Sequence, residues 1–225
     1  MINYLKTSIG QKQLVAISGL GMVFFLIAHL LGNFLIFLGP QAINDYSDKL
    51  HDLGPLLWVA RIGLIVIFLM HFSLVVYLTM KNKKARPVEY VKPLHKKTRS
   101  IFTATMRISG VLIFVYIFWH LYDYTLTPHS MDNSVINGEY YGLYGHVYNS
   151  FLNPIRSVFY ILVMFSIGFH LIHGVYSVLQ TFGFSHKVYS PVIKKTTVTL
   201  AILLSLGFSS IPVYVLIHNN LNWSL

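Results

Sequence analysis

The chain has 225 residues, of which 55% are hydrophobic and only 11% are charged, and its mean hydropathy is +0.60. This composition excludes an ordinary soluble domain and predicts an integral membrane protein. There is no cysteine, which excludes disulfides, thiol chemistry and iron–sulfur ligation by this chain. Membrane topology and anionic lipid account for the net charge of +10, so nucleic acid binding is not needed to explain it.

Five apolar runs each come close to the roughly 20 residues that a helix needs to cross a bilayer. Before the first run, Thr7 or Ser8 is placed to cap the entering helix. No small-residue cleavage site follows that run, so we interpret it as a retained helix and not as a signal peptide. We therefore predict an all-α integral membrane bundle that forms a single domain over residues 1–225. The five predicted transmembrane helices lie at about 13–38, 56–80, 104–126, 155–180 and 197–218.

The basic residues are sorted to one side of these helices. Of the 17 Lys and Arg residues, 14 lie before the first run, between the second and third, or between the fourth and fifth. The intervening segments hold six of the seven acids. Because Lys and Arg accumulate on the cytoplasmic side of membrane spans, we predict a cytoplasmic N-terminus and an outside C-terminus.

Histidines lie deep inside four of the five runs, where an ionisable residue is costly and indicates a functional site. His71 and His170 are each ten residues from the basic-side boundary, which places both about 15 Å deep. His29 and His120 are 17 and 13 residues from theirs, which places them about 20–25 Å deep. The sequence therefore predicts two levels, each with two histidines from different helices.

Two stacked haems require this arrangement, since each iron takes one neutral imidazole from either side. We predict His71 with His170 as one pair of axial ligands and His29 with His120 as the other. The alternatives are buried histidines that hydrogen-bond the backbone, or a proton pathway, since His titrates near neutrality. A zinc site is disfavoured because no acid or cysteine lies at this depth.

The fourth run holds a second histidine, His173, one turn closer to the basic side than His170. The depth count favours His170 as the ligand by only about 4–5 Å, which is within the error of the boundaries. His173 is then a neighbour that hydrogen-bonds a haem propionate or the backbone, or simply packs.

Haem propionates bind cations or hydroxyls, and four basic residues lie near the ends of the runs. Arg61 and Arg156 lie on the acidic side, and Lys12 and Arg107 lie on the basic side. They are candidate propionate contacts. The alternative for each is ordinary interfacial snorkelling of a long basic side chain.

Four stretches resemble one known family, the cytochrome b subunit of succinate dehydrogenase and fumarate reductase, in its five-helix, di-haem, single-subunit type. The resemblance covers essentially the whole chain, and the last stretch is the most specific. The stretches are Thr7-Ser-Ile-Gly-Gln-Lys12 with Ser18-Gly19-Leu20, then Ala28-His29, then Asn82-Lys-Lys-Ala85-Arg86, and Phe169-His-Leu-Ile-His-Gly-Val-Tyr-Ser-Val-Leu-Gln-Thr-Phe-Gly183.

The resemblance implies a membrane anchor in the cell inner (cytoplasmic) membrane, with a flavoprotein subunit and an iron–sulfur subunit bound on its cytoplasmic face. It implies two b haems and electron exchange with menaquinone, with the dicarboxylate chemistry on a partner subunit and a higher oligomer left open. The helix-four ligand of the family is the histidine four residues before the glycine, which is His170 here. His71 would complete the proximal haem site, which is the one nearest the iron–sulfur subunit. His29 and His120 would hold the distal haem.

Two further positions follow from the resemblance. Some family members carry an acid two residues before the helix-four ligand, implicated in proton transfer, whereas this chain has Gly168. Some also use an acid in the loop after helix one at the quinone site. In this chain the candidates in that loop are His51, Asp48 and Asp52. The alternative is that they are ordinary solvated loop residues without a role at a quinone site.

We predict a succinate:menaquinone oxidoreductase anchor of the complex II type. The reverse enzyme, a quinol:fumarate reductase, stays open, as does the di-haem anchor of another dehydrogenase or hydrogenase. The alternatives from other classes are a haem-free anchor and a His-lined proton or solute transporter.

Overall fold

The computed structural model describes residues 2–85, 101–127, 131–184 and 186–220. Within them a two-stranded hairpin joins the helices, with Val135 opposite Tyr140 and Ile136 opposite Glu139. The basic segment 86–100, part of the predicted loop between the second and third spans, lies outside the described residues. The helices and strands are α1 Ile2–Leu5, α2 Ser8–Asn33, α3 Pro40–His51, α4 Pro55–Lys84, α5 Ile101–Leu121, α6 Met131–Ser134, β1 Val135–Ile136, β2 Glu139–Tyr140, α7 Gly142–Leu152, α8 Pro154–Thr181 and α9 Ser190–Asn220.

In the described part of the chain, five helices are long and apolar enough to cross a membrane, which confirms the predicted all-α membrane bundle. A 3₁₀ segment, Phe34–Leu38, extends α2, and a π-helical segment, Tyr122–Leu126, extends α5. The largest difference from the sequence prediction is the start of α9, which begins at Ser190 and not near residue 197. The lysines in its first turns lower the hydropathy there without preventing helix formation. The candidate spans are Ser8–Leu38, Pro55–Lys84, Thr105–Leu126, Pro154–Thr181 and Ser190–Asn219.

Local signals set the ends of these helices. The hydroxyl of Thr7 caps α2 by accepting a hydrogen bond from the Gly10 amide at 3.1 Å. Thr7 is one of the two capping residues predicted from the sequence. Gly39, at φ 99°, adopts the left-handed conformation that ends the first span before Pro40. The Asn153 side chain accepts from the first two free amides of α8, and Pro154 occupies the first position.

Four of the spanning helices enclose a common centre. Helix α2 packs against α4 and α8, and α8 packs in turn against α5. The ring closes between α4 and α5, where Phe72 stacks on Phe114 with 3.9 Å between ring centroids. Helix α9 lies outside this ring against α8 and α2. The four helices that carry His29, His71, His120 and His170 therefore form the ring, and the fifth spanning helix packs against its outside.

The short elements between the spans, α3, α6, β1, β2 and α7, cover one end of the bundle. We call it the acidic end because Asp45, Asp48, Asp52, Asp123 and Glu139 lie there, and we call the opposite end, with α1, Lys12, Lys81 and Lys194, the basic end. The polar stretch after the first span, read from sequence as a loop, forms helix α3. Its Asn44 donates to the Tyr141 carbonyl at 2.9 Å and accepts from the Tyr144 amide at 3.1 Å. These bonds join α3 to the start of α7.

A tyrosine–histidine contact fixes α7 on the last helix. The hydroxyl of Tyr148 lies 3.2 Å from Nδ1 of His218, which is buried at the end of α9. Burial raises the pKa of Tyr148, with the neighbouring Tyr214 adding to the shift. The hydroxyl therefore stays protonated and can donate to the imidazole.

Candidate functional site

The structure places His29 of α2 beside His120 of α5, with 5.9 Å between their ring centroids. Each nitrogen–metal bond of an imidazole is about 2.0–2.1 Å long, so two imidazoles on opposite sides of one metal ion have centroids about 6 Å apart. Both rings are only half-buried although they face the centre of the bundle. The spacing of this predicted pair therefore fits a shared iron.

Aromatic rings and one amide surround this pair. Phe25 stacks on His29 at 5.2 Å, and Tyr116 stacks on His120 at 5.6 Å. The Asn33 amide nitrogen lies 2.8 Å from the His29 carbonyl and 3.3 Å from its Nε2. Since an amide nitrogen only donates, Nε2 of His29 carries no proton when it accepts from Asn33, and the Asn33 amide must turn away before that nitrogen can bind a metal.

The second predicted pair lies in the half of the bundle nearer the basic end. His170 of α8 is within electrostatic range of both His71 of α4 and His173. Nδ1 of His71 lies 3.1 Å from the Val15 carbonyl, which can only accept. Nδ1 of His71 therefore carries the proton, and Nε2 is the nitrogen left to bind a metal.

His170 is held in a similar way. Its Nδ1 lies 3.2 Å from Oγ of Ser109 on α5. When the Ser109 hydroxyl donates its own proton to the Met106 carbonyl at 3.0 Å, its oxygen is free to accept from Nδ1 of His170. His173 is half-buried one turn away, and its role stays open.

The donor set of these four histidines fits haem. His71 has an unprotonated Nε2 by hydrogen-bond geometry, the Ser109 contact allows the same tautomer for His170, and neutral imidazoles are the form that ligates haem iron. The two pairs come from four different helices that enclose one centre. An iron in a haem needs only two protein ligands, one on each face.

The candidate propionate contacts have different surroundings. Arg61 lies over the Trp58 ring at 5.1 Å, which is a cation–π contact. Lys12 and Arg107 are exposed at the basic end. Arg156 lies 3.4 Å from an Asp123 oxygen and donates to the Ser150 hydroxyl at 2.8 Å. Their assignment as propionate contacts stays a prediction.

Asp123 forms a buried cluster that the sequence reading counted only as an acid on the outer side. One carboxylate oxygen, Oδ2, accepts from the Trp119 indole and from the Tyr160 hydroxyl, each at 2.9 Å, and faces Arg156. Asp123 lies in the π-helical segment, one turn after His120. The only sequence signal was the four-residue spacing of Trp119 and Asp123, which places them on one helix face.

The candidate quinone residues lie together at the end of α3. His51, Asp48 and Asp52 are all exposed at the acidic end of the bundle. Nδ1 of His51 donates to the Ser47 carbonyl at 2.8 Å, which leaves Nε2 as an acceptor. All three lie at the end of the bundle opposite the basic end, and their role at a quinone site stays a prediction.

Gly168 has a packing role between α8 and α9. A Cβ atom at this position would overlap the Oγ atom of Ser205. Ser205 is itself fixed by donating to the Met164 carbonyl at 3.0 Å. Glycine therefore stands where some members of the resembled family carry an acid because α9 occupies the space that a side chain would need.

The fold and these contacts define a multi-pass helical membrane protein with histidines on four spanning helices, of which His29 and His120 lie ring to ring. The chain belongs to the family of the succinate dehydrogenase/fumarate reductase transmembrane subunit, whose family model matches residues 82–208, more than half of the 225 residues. The match includes His120 and His170, whereas His29 and His71 precede it. We found no match to the chain among curated proteins or solved structures.

Proposed function

We propose that this chain is the di-haem cytochrome b membrane anchor of a succinate:menaquinone oxidoreductase of the complex II type. Family membership identifies a transmembrane subunit of a succinate dehydrogenase/fumarate reductase complex. The observation that supports the finer assignment is the pairing of histidines from four helices, with the His29 and His120 rings 5.9 Å apart.

In this proposal His71 and His170 hold one haem b, and His29 and His120 hold the other. Haem b supplies reversible one-electron transfer when bound. The chain's part is to present neutral imidazoles through Nε2 and to exclude water with apolar helices. The dicarboxylate chemistry takes place on a partner subunit, and this chain supplies no catalytic residue for it.

The charge distribution supports an orientation with the basic end in the cytoplasm, in the cell inner membrane. A flavoprotein subunit and an iron–sulfur subunit then bind at the basic end. The His71/His170 pair lies nearer that end, so it is the proximal site. The His29/His120 pair is the distal site, nearer the acidic end and the proposed quinone residues.

A reduced-minus-oxidised absorption spectrum of the purified complex tests the haem assignment. We expect b-type bands and two haems per chain by pyridine haemochrome analysis. A spectrum without b-type bands, from membranes supplied with haem, would show that the chain is a haem-free anchor. The co-purified subunits should oxidise succinate. If they oxidise a different substrate instead, the chain is the anchor of a different dehydrogenase.

His51, with Asp48 and Asp52, is our candidate for protonating quinone at the acidic end. We expect His51→Ala to slow the reduction of a menaquinone analogue by succinate about 100- to 10,000-fold, the usual range for a lost general acid. Electron transfer from succinate to an artificial acceptor at the flavoprotein should stay unchanged, as should the haem content. Unchanged menaquinone reduction in His51→Ala, Asp48→Asn and Asp52→Asn alike would place the quinone elsewhere.

A further inference from the structure

Two spanning helices repeat one spacing of serine, glycine and histidine. Helix α2 contains Ser18-Gly19 followed by His29, and α5 contains Ser109-Gly110 followed by His120. In both helices the serine precedes the histidine by eleven residues. Eleven residues are close to three helical turns, so serine and histidine lie on the same helix face about 16 Å apart.

Each serine contacts a histidine of the other pair. Ser18 Oγ lies 3.1 Å from Nδ1 of His71, and Ser109 Oγ lies 3.2 Å from Nδ1 of His170. Both serines are buried. On each of the two helices, one face therefore contributes to both predicted haem sites. Its histidine belongs to the His29/His120 pair, and its serine contacts a histidine of the His71/His170 pair.

The direction of these hydrogen bonds follows from the serine protons. Ser18 donates to the carbonyl of Leu14 at 2.8 Å or of Val15 at 3.0 Å, and Ser109 donates to the carbonyl of Met106 at 3.0 Å. With its proton used inside its own helix, each hydroxyl oxygen can accept from the imidazole. In this arrangement Nδ1 carries the imidazole proton, as the Val15 carbonyl already requires for His71, and Nε2 is left unprotonated.

The glycine after each serine allows the imidazole to lie against the helix. A Cβ atom on Gly19 would come 3.2 Å from Cε1 of His71, and one on Gly110 would come 3.6 Å from Cε1 of His170. The first distance is tighter than ordinary van der Waals contact, and the second is just within it. The Ser-Gly pairs thus combine a hydrogen-bond acceptor with a flat surface for the ring.

We propose that Ser18 and Ser109 are positioning residues that fix the tautomer and ring orientation of His71 and His170, and that α2 with α4 and α5 with α8 are two similar halves of the site. This inference rests on the proposed haem function. Outer partners that orient a metal-binding histidine typically change metal affinity 10- to 100-fold when removed. The two serines should not contribute equally, because His71 keeps the Val15 carbonyl at 3.1 Å when Ser18 is removed.

The test is haem binding by the purified complex with Ser109→Ala and with Ser18→Ala. We expect Ser109→Ala to weaken retention of one haem about 10- to 100-fold and to shift the electron paramagnetic resonance signal of that haem. Ser18→Ala should give a smaller change in the same haem, and Ser109→Thr should restore the signal. The second haem, held by His29 and His120, should stay unchanged and show that the bundle is folded.

Ser210→Ala is the matched control. Ser210 also donates to its own helix, at 2.6 Å to the Gly207 carbonyl, but its hydroxyl has no histidine contact among the described hydrogen bonds. Equal effects of Ser210→Ala and Ser109→Ala, or two unchanged haems in Ser109→Ala, would overturn the positioning role while leaving the proposed function intact. A wild-type complex without haem would instead overturn the proposed function.

Discussion

Replacing His170 with alanine is expected to leave the purified complex with one haem per chain where the wild type has two. The substitution removes one of the two imidazoles that the proximal iron requires, and the remaining His71 alone does not hold a b haem tightly. The reduced-minus-oxidised b-type absorbance should fall by roughly half, and the pyridine haemochrome content should fall with it.

The neighbouring histidine provides the control, since His173 is half-buried and lies within electrostatic range of His170. We expect His173→Ala to retain both haems. His71→Ala should match His170→Ala, and His120→Ala should lose the other haem signal. If His173→Ala lost a haem while His170→Ala kept both, the ligand on α8 would be His173.

The spans and the closeness of His29 to His120 could be predicted because the membrane limits the alternatives. Inside hydrocarbon each backbone amide and carbonyl needs an internal partner, so a long apolar run is a helix. The regular rise of a helix then converts residue counts into depth. That count placed both His29 and His120 about 20–25 Å deep, and the structure brings their rings to 5.9 Å.

The acidic end could not be predicted in the same way, because its contacts join distant parts of the chain. Asn44 contacts the backbone of Tyr141 and Tyr144, about 100 residues away. Two of the groups on the Asp123 carboxylate, Tyr160 and Arg156, come from α8. Polar residues outside hydrocarbon can be satisfied by water, so their sequence does not specify a partner.

The Ser-Gly repeat is an intermediate case. The spacing of Ser18 to His29 and of Ser109 to His120 is visible in the sequence. An alignment of α2 with α5 that superposes Ser18 on Ser109 would have found it. What the spacing alone does not give is the partner of each serine, because that depends on how α4 and α8 pack. The structure supplies those partners as His71 and His170.

Introducing a side chain at Gly168 is expected to destabilise the bundle and not to create a proton pathway. A Cβ atom there would overlap Oγ of Ser205, and Ser205 can move only by losing its hydrogen bond to the Met164 carbonyl. We expect Gly168→Ala to lower the free energy of unfolding by about 1–3 kcal/mol, the usual range for overpacking. Gly168→Glu should cost more, because it also buries a carboxyl group.

Thermal unfolding of the detergent-purified protein measures both variants. Gly63→Ala is the control, since no atom of the described residues outside the adjoining helix backbone lies within 4 Å of a Cβ at Gly63, and it should be neutral or slightly stabilising. Combining Gly168→Ala with Ser205→Ala removes the overlapping oxygen, so the double variant should recover most of the lost stability. Equal stability of Gly168→Ala and Gly63→Ala, or no coupling to Ser205, would mean that α9 leaves room for an acid. With strong coupling, the missing acid is explained by Ser205, and any proton transfer in this protein must use a route that does not include position 168.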